Sequence, residues 1–139
     1  MKPKPQSRVC FVDTSAWFEA LVPGQPRTKE LSRLLWGEEY RLLTSSFVLD
    51  ELLSLLRFRG QERRIEAAWD FLNDAASVEL VQVGRSSLNE AYAVFREFKD
   101  KAWSFTDCTS YCLIRASGIR FACSLDAHFR EFGLVTLVP

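Results

Sequence analysis

The sequence predicts an α/β fold with a mostly parallel central sheet of about five strands. Short apolar runs, typical of strands buried on both faces, alternate along the chain with amphipathic helical segments. That alternation is typical of a parallel sheet with helices packed on its faces. The chain has 139 residues, 47% of them hydrophobic, which is sufficient for a single domain with a substantial core.

Five segments have the composition of strands inside a sheet. The first, 9–12, is a continuous apolar run that ends directly before Asp13. Four later runs are also rich in apolar residues, and turn-forming or polar residues bound them. They cover residues 40–44, 78–83, 119–124 and 134–138.

Helices are predicted between these strands, and most begin at a hydroxyl residue suited to an N-cap. Ser45 or Ser46 opens a helix whose apolar residues from Val48 to Leu56 recur at helical spacing. Gly118 is well placed to end the helix that passes through Ser117. The same reasoning predicts helices after Thr14 or Ser15, after Thr28, over 61–75, after Ser86 or Ser87, and over 127–131.

The first eight residues differ in composition from the rest of the chain. Residues 1–8 hold two prolines, two lysines and one arginine, so we expect a flexible tail followed by one domain over 9–139. No apolar segment of about 7–15 residues marks a signal peptide. Every apolar run is much shorter than the ~20 residues that cross a bilayer. We therefore expect a cytoplasmic protein without membrane association.

Charge and cysteine content exclude two further classes. Lys plus Arg equals 18, as does Asp plus Glu, which argues against broad nonspecific coating of nucleic acid but leaves room for a local basic patch. The chain has one histidine and no CxxC pair, so a zinc site is improbable. We expect the four cysteines to pack as small buried hydrophobes. They are Cys10, Cys108, Cys112 and Cys123.

Four acidic residues stand where strands end or helices begin: Asp13, Glu51, Asp107 and Asp126. Asp13 and Asp126 follow predicted strands, and the other two lie near the starts of helices that can begin at the same edge. In parallel α/β sheets, ligands bind outside the carboxyl ends of the strands. Gathered carboxylates repel one another, and Mg²⁺ or Mn²⁺ is the usual compensating ligand. The pattern therefore predicts a divalent metal site.

Each acid also has an ordinary structural explanation. Asp13 can cap a helix, and Glu51 can lie on a solvated helix face. Asp107 can favour a helix start through the macrodipole, and Asp126 can form an Asx-turn. Asp50 lies about 100° around the helix from its neighbour Glu51, and helical phase does not choose between them.

A carboxylate-held metal suits phosphodiester hydrolysis, because it activates water and stabilises the developing charge. Such chemistry needs no nucleophilic side chain, and the sequence contains no GxSxG, P-loop or GxGxxG motif. The hydroxyls of Ser104 and Thr106 stand close to Asp107 and can orient a carboxylate or a water.

Four segments match, in order, the acidic motifs of a known family. They are Val12–Ala16, Thr44–Leu53, Ser104–Ser110 and Ser124–Phe129. The chain resembles PIN-domain ribonucleases, and most closely the VapC toxins of toxin–antitoxin modules. The resemblance extends from about Val9 to Val138.

The resemblance implies a PIN-like α/β/α sandwich, Mg²⁺- or Mn²⁺-dependent endoribonuclease activity on RNA, homodimerisation, and a cognate antitoxin that covers the site. It carries metal binding over to Asp13, Glu51, Asp107 and Asp126, and so selects Glu51 over Asp50. It also assigns the hydroxyl beside the metal to Thr106 or, failing that, Ser104.

Four arginines crowd one helix–turn–helix and are candidates for RNA phosphate contacts, with a solvated face or an antitoxin contact as an equal alternative. They are Arg57, Arg59, Arg63 and Arg64.

Three more side chains are candidates for substrate contact. His128 can touch substrate, although we expect a helix-surface histidine without a role. Trp103 and Phe105 can stack a base, although core packing is the stronger expectation.

Two rival functions remain open, namely a non-catalytic PIN-like module that binds RNA or protein, and a solitary RNA-processing nuclease. A phosphatase of the haloacid-dehalogenase type is disfavoured, because Ser15 stands where that chemistry needs a second aspartate.

Overall fold

A computed structural model describes residues 8–139 and contains one five-stranded sheet in the order β3-β2-β1-β4-β5. All four neighbouring strand pairs are parallel. The predicted α/β fold with about five strands is therefore confirmed. The strands are β1 (Val9–Val12), β2 (Arg41–Ser45), β3 (Val78–Val81), β4 (Phe121–Cys123) and β5 (Thr136–Leu137).

Seven helices connect the strands in the described part of the chain. The predicted helix over 61–75 is shorter than expected, because a 3₁₀ turn over Glu62–Arg64 precedes it. The helices are α1 (Thr14–Leu21), α2 (Thr28–Leu35), α3 (Ser46–Phe58), α4 (Ile65–Leu72), α5 (Arg85–Glu97), α6 (Phe105–Ser117) and α7 (His128–Glu131). Within residues 8–139, none of them has the length and hydropathy that a membrane span requires.

Local side-chain chemistry sets several helix ends. Ser45 caps α3, as predicted, because its Oγ accepts a hydrogen bond from the Val48 backbone N–H at 3.1 Å. Gly118 follows α6 with φ of 66°, a left-handed conformation that glycine adopts without steric cost. The predicted cap of α2 is wrong. Thr28 is the first helical residue, and its hydroxyl donates instead to the carbonyl groups of Glu19 and Val22.

The predicted cap of α5 is also wrong. The helix begins at Arg85, with Gly84 as its N-cap, so Ser86 and Ser87 lie inside the first turn.

The core lies on both faces of the sheet. Phe11 stacks with Phe129 of α7 at 6.0 Å between ring centroids. On α1, the Trp17 Nε1–H donates to the hydroxyl of Thr44, which in turn donates to the Val12 carbonyl. The indole and the hydroxyl are buried, and these bonds satisfy them.

Aromatic packing decides the role of two candidate stacking residues. Trp103 is buried, and its ring lies 4.9 Å from the rings of both Phe98 and Phe132. Base stacking by Trp103 is therefore excluded by burial, and core packing is confirmed. Phe105 is half-buried between Phe47 and Phe95. All four cysteines are free and buried, as expected.

The predicted tail over residues 1–8 lies outside the described residues except for Arg8. The Arg8 carbonyl accepts a hydrogen bond from the Arg41 backbone N–H at 2.9 Å, which continues the pairing of β1 with β2. Its guanidinium forms an exposed ion pair with Glu39.

Strand order creates a crevice at one edge of the sheet. From β1 the chain passes to β2 and β3 on one side, and later to β4 and β5 on the other side. The carboxyl ends of β1 and β4 are therefore neighbours, and the connections that follow these strands lead to opposite sides of the sheet. Such a place is a topological switch point, the usual ligand site of open α/β sheets. Val12 pairs with Cys123, so the residues after these two strands emerge side by side.

Candidate metal centre

Four elements bring the predicted acids toward the switch point. Asp13 directly follows β1, and Asp126 lies in the turn between β4 and α7. Glu51 lies in the second turn of α3, which begins at the carboxyl end of β2. Asp107 lies in the first turn of α6. The order of these elements in the fold therefore gathers residues that are distant in sequence.

Two serine hydroxyls hold the Asp13 carboxylate. Asp13 is only 4% exposed, and its Oδ2 accepts hydrogen bonds from Ser124 Oγ at 3.0 Å and Ser15 Oγ at 3.3 Å. Although Asp13 occupies the N-cap position of α1, its side chain makes no capping bond. Ser124 Oγ also accepts the backbone N–H of Asp126 at 3.0 Å, which connects the two acids through one hydroxyl.

A second group of ligand atoms lies beside Asp13. The Nδ1 atom of His128 lies 2.8 Å from Asp107 Oδ2 and 3.2 Å from Asp126 Oδ1. One ligand atom from each of these three residues falls within 4.8 Å of the others. His128 is therefore not isolated on the surface of its helix, because its imidazole bridges two of the predicted acids.

Asp107 also has the structural role considered as its alternative. Its Oδ2 accepts the Ser104 backbone N–H at 2.9 Å, and Ser104 Oγ accepts the Asp107 backbone N–H at 3.0 Å. This capping box begins α6 and fixes the Asp107 carboxylate in the crevice. Ser104 is thus a capping residue that positions Asp107.

Burial separates Glu51 from Asp50. Asp50 is exposed on α3, whereas Glu51 is half-buried. Burial is the main cause of the raised pKa of Asp13, and the charges of Asp107 and Glu51 add to it. The charge of Asp50 is not among these influences. The structure therefore orients Glu51, and not Asp50, toward the other acids.

Burial, with a smaller contribution from two nearby carboxylates, perturbs the pKa of Asp13. Burial raises the pKa of Asp13 to about 7, and the charges of Asp107 and Glu51 add to the rise. Hydrogen bonds from the Thr14 backbone N–H and the Ser124 hydroxyl oppose it. A buried carboxylate that feels two like charges is stabilised by a nearby cation.

The His128 imidazole responds to the same charges. Burial lowers its pKa, but the hydrogen bond to Asp107 and the charges of Asp126 and Asp107 outweigh this and raise the pKa above its ordinary value. The carboxylates thus favour a positive charge at this point of the crevice.

These donors fit a divalent metal ion. Carboxylate oxygens are the ligands that Mg²⁺ and Mn²⁺ prefer, and Mn²⁺ also accepts imidazole nitrogen. The group formed by Asp107, Asp126 and His128, with buried Asp13 beside it, is able to hold such an ion.

The remaining predicted site residues lie outside this group. Thr106 is half-buried, and its carbonyl accepts the Thr109 hydroxyl at 2.6 Å. Arg57 lies on α3 about 9 Å beyond Glu51, at ~1.5 Å per helical residue. It is exposed and pairs with Glu62 at 2.8 Å. Of the other three arginines, Arg59 and Arg63 are exposed, whereas Arg64 is half-buried. RNA binding by these arginines stays a prediction.

Sequence reasoning missed the two hydroxyls that hold the Asp13 carboxylate, those of Ser15 and Ser124, and it named His128 only as a candidate for substrate contact. A hydroxyl two residues after Asp13 and another two residues before Asp126 were the available signals. Only the adjacency of β1 and β4 shows that both hydroxyls serve the same carboxylate.

Sequence comparison shows the family of this chain. The model of the PIN domain family matches residues 10–134. The 23S rRNA-specific endonuclease VapC20 of Mycobacterium tuberculosis is 31% identical over 130 residues, which cover 93% of this chain and 98% of that protein.

Solved structures extend the comparison to three dimensions. The crystal structure of Mycobacterium tuberculosis VapC20, a Sarcin-Ricin loop cleaving toxin, superposes with a TM-score of 0.85 at 29% identity over 94% of this chain and 99% of that chain. VapBC2 from Rickettsia felis, bound to a promoter DNA fragment, superposes with a TM-score of 0.66 at 16% identity over 94% of this chain and 97% of that chain, and so shares the fold. With its acids gathered at the switch point, the chain belongs to the PIN-domain family, as a member of the VapC type.

Proposed function

We propose that this protein is a metal-dependent endoribonuclease, the toxin of a type II toxin–antitoxin module. The observation that carries the proposal is the convergence of Asp107, Asp126 and His128 within 4.8 Å, beside buried Asp13, at the switch point of the sheet. The 31% identity to a named endonuclease over nearly its whole length supports the same activity.

Mg²⁺ or Mn²⁺ would be held by Asp13, Glu51, Asp107 and Asp126. The chemistry that a bound divalent ion supplies is activation of the attacking water and stabilisation of charge on the phosphodiester. We assign positioning roles to the hydroxyl residues around these acids, and Thr106 is the candidate for orienting water.

The chain's own residues prepare the site for this chemistry. Ser124 and Ser15 hold the Asp13 carboxylate in one orientation, and the capping box with Ser104 does the same for Asp107. Burial keeps bulk water from the Asp13 carboxylate, and this strengthens the electrostatic interactions of that group.

We infer that the substrate is a structured loop of 23S rRNA. VapC20 is described as 23S rRNA-specific and as cleaving the sarcin–ricin loop. The similarity to that protein covers 98% of its length, which supports a substrate of the same class.

We also propose that the protein acts in the cytoplasm, as a homodimer that a cognate antitoxin inhibits. Exposed aromatic surface supports association, because five aromatic side chains are each more than 40% exposed. They are Trp36, Phe58, Trp69, Tyr92 and Phe95. Light scattering on the purified protein, alone and with the product of the neighbouring reading frame, measures both associations. A monomer that binds no such product would contradict the proposal.

The nuclease activity has a direct test with a matched pair of variants. Purified protein is incubated with ribosomes or with a 23S rRNA hairpin, in Mn²⁺ or in EDTA. We expect Glu51→Gln to reduce the cleavage rate by at least ~100-fold, the loss of several kcal/mol of charge stabilisation. Asp50→Asn removes a neighbouring exposed charge and should cleave at the rate of the wild type.

The alternative is a PIN-like module that binds RNA or protein without cleaving it. Equal cleavage by both variants and by the EDTA-treated protein would establish that the carboxylates do not act in catalysis. Specific binding without any cleavage would favour the binding module. Cleavage without a neighbouring antitoxin gene would favour a solitary RNA-processing nuclease.

A further inference from the structure

A cleft of about 380 Å³ opens directly beside the carboxylates. Its walls come from the loop before α2, the turn after β4, helix α7 and strand β5. We call it the Arg27–Arg130 cleft, after the two cationic side chains that line it. Ser124, Leu125, Asp126 and Leu137 form much of the remaining wall.

The Arg27–Arg130 cleft is continuous with the candidate metal centre. Asp126 belongs to the group of metal-ligand atoms, and Ser124 donates to the buried Asp13 carboxylate. Both residues also line the cleft. The cavity beside Arg57, by contrast, includes none of the four acids. A polynucleotide strand bound across the metal centre therefore extends directly into the Arg27–Arg130 cleft.

The two arginines of the cleft are available to a new anion. Arg130 is exposed and forms no ion pair with any residue in the range 8–139. Arg27 places two nitrogens at 3.0 Å from the carboxylate oxygens of Glu30. That pair is largely solvent-exposed, and such pairs contribute only ~0–1 kcal/mol, so a stronger anionic ligand can replace Glu30.

Arg27 lies close to the end of β4, although it is distant from that strand in sequence. It lines the same cleft as Ser124 and Leu125, the two residues that follow β4.

An RNA phosphate is the ligand that this chemistry recognises. Four carboxylates at the metal centre repel the polyanionic backbone, so the phosphates that flank the cleaved bond need cationic partners outside the metal. Guanidinium groups bind phosphate through paired, charge-assisted hydrogen bonds. Leu125, which is 38% exposed, and Leu137 give the cleft an apolar wall suited to a ribose or base.

We propose that the Arg27–Arg130 cleft binds the RNA phosphate adjacent to the one that is cleaved, with Arg130 as the principal contact and Arg27 as the second. The proposal rests on the endoribonuclease function and adds a substrate-binding subsite to it. The four arginines from the end of α3 to the start of α4 are then not needed for this contact.

The test measures RNA affinity without cleavage. Fluorescence anisotropy is recorded with a labelled sarcin–ricin hairpin RNA and protein carrying Asp107→Asn, so that no RNA is consumed. We expect Arg130→Ala to weaken binding about tenfold, the effect of one charge-assisted contact. In a plot of log affinity against log salt concentration, the magnitude of the slope should be smaller by about 0.7–1 for Arg130→Ala.

Arg120→Ala is the matched control, because Arg120 is exposed and precedes β4 at the opposite edge of the sheet. It should leave both affinity and slope unchanged. Glu30→Gln frees Arg27 from its ion pair, and we expect it to tighten RNA binding by about two- to threefold, within the value of one exposed pair.

Equal affinities for Arg130→Ala and Arg120→Ala would overturn the phosphate subsite. So would a loss of antitoxin binding in Arg130→Ala with RNA affinity unchanged, since the partner would then be protein. Cleavage by protein with an intact Asp107 is scored separately, so failure of the subsite is distinguishable from failure of the nuclease function.

Discussion

Asp13→Asn is expected to stabilise the metal-free protein at neutral to alkaline pH while it abolishes cleavage. The wild-type carboxylate is buried, and the charges of Asp107 and Glu51 act on it, so its ionisation in the folded state is costly. Asparagine has nearly the same shape and keeps an oxygen that accepts from Ser124 and Ser15. It carries no charge at any pH.

The magnitude follows from the two protonation equilibria. The folded-state pKa of about 7 exceeds the ordinary value of 3.8, a gap that corresponds to about 4 kcal/mol at ~1.36 kcal/mol per pH unit. Because the folded state holds this proton more tightly, the free energy of unfolding falls as pH rises from about 4 to about 7, and it levels off above pH 7. Asp13→Asn has no carboxyl group at this position, so its free energy of unfolding does not fall over this pH range for this reason.

Denaturant unfolding in EDTA at several pH values measures the difference. At pH 4 the two proteins should have similar free energies of unfolding, because Asp13 is protonated in the folded state. At pH 8 the variant should be more stable by up to about 4 kcal/mol. Added Mn²⁺ should stabilise only the wild type.

A variant less stable than wild type at pH 8 in EDTA would refute the reasoning. It would mean that the Asp13 carboxylate forms net favourable interactions without metal, so burial would not be the dominant influence on its pKa. A difference independent of pH would point to packing rather than charge.

Three further predictions concern neighbouring side chains. Ser124→Ala should leave the fold intact and lower kcat by ~10–100-fold, the usual effect of removing a group that orients a metal ligand, and single-turnover cleavage measures it. His128→Gln should destabilise the metal-free protein below pH 6, because the raised pKa of His128 keeps the wild-type imidazole charged there. The destabilisation should fade as pH rises through that pKa. A loss of stability that does not depend on pH would show that the imidazole charge is not its cause. Trp103→Ala should cost ~3–5 kcal/mol of stability by opening a core cavity, yet leave RNA affinity unchanged under conditions in which the variant is folded. A folded variant with weakened RNA binding would indicate that the Trp103 ring stacks on a base.

Local sequence signals predicted most of the elements. The apolar run of β1 and the Ser45 cap of α3 depend on residues that are adjacent in sequence, so they could be identified before the structure was known. The cap of α2 was mispredicted, because the Thr28 hydroxyl is used by carbonyl groups near the end of α1. Tertiary hydrogen bonds here override a local preference.

The choice between Glu51 and Asp50 shows the limit of periodicity. Both residues lie on α3 about 100° apart, and the helix alone gives neither preference. The resemblance to PIN-domain proteins selected Glu51, and the structure separates the two residues by burial, because Glu51 is half-buried and Asp50 is exposed. The physical reason is the packing of α3 against α1 and α6, which the helix sequence does not contain.

Taken alone, the sequence determined the fold class and the five strands, because both depend on apolar patterning within short segments. It predicted the acids, but without the family resemblance it left Glu51 and Asp50 equal. Tertiary structure decided which strands are neighbours. Pairing of β1 with β4 joins Asp13 to Ser124 and opens the cleft between Arg27 and Arg130. Contacts between residues about a hundred positions apart follow from strand order, and strand order is a property of the packed chain.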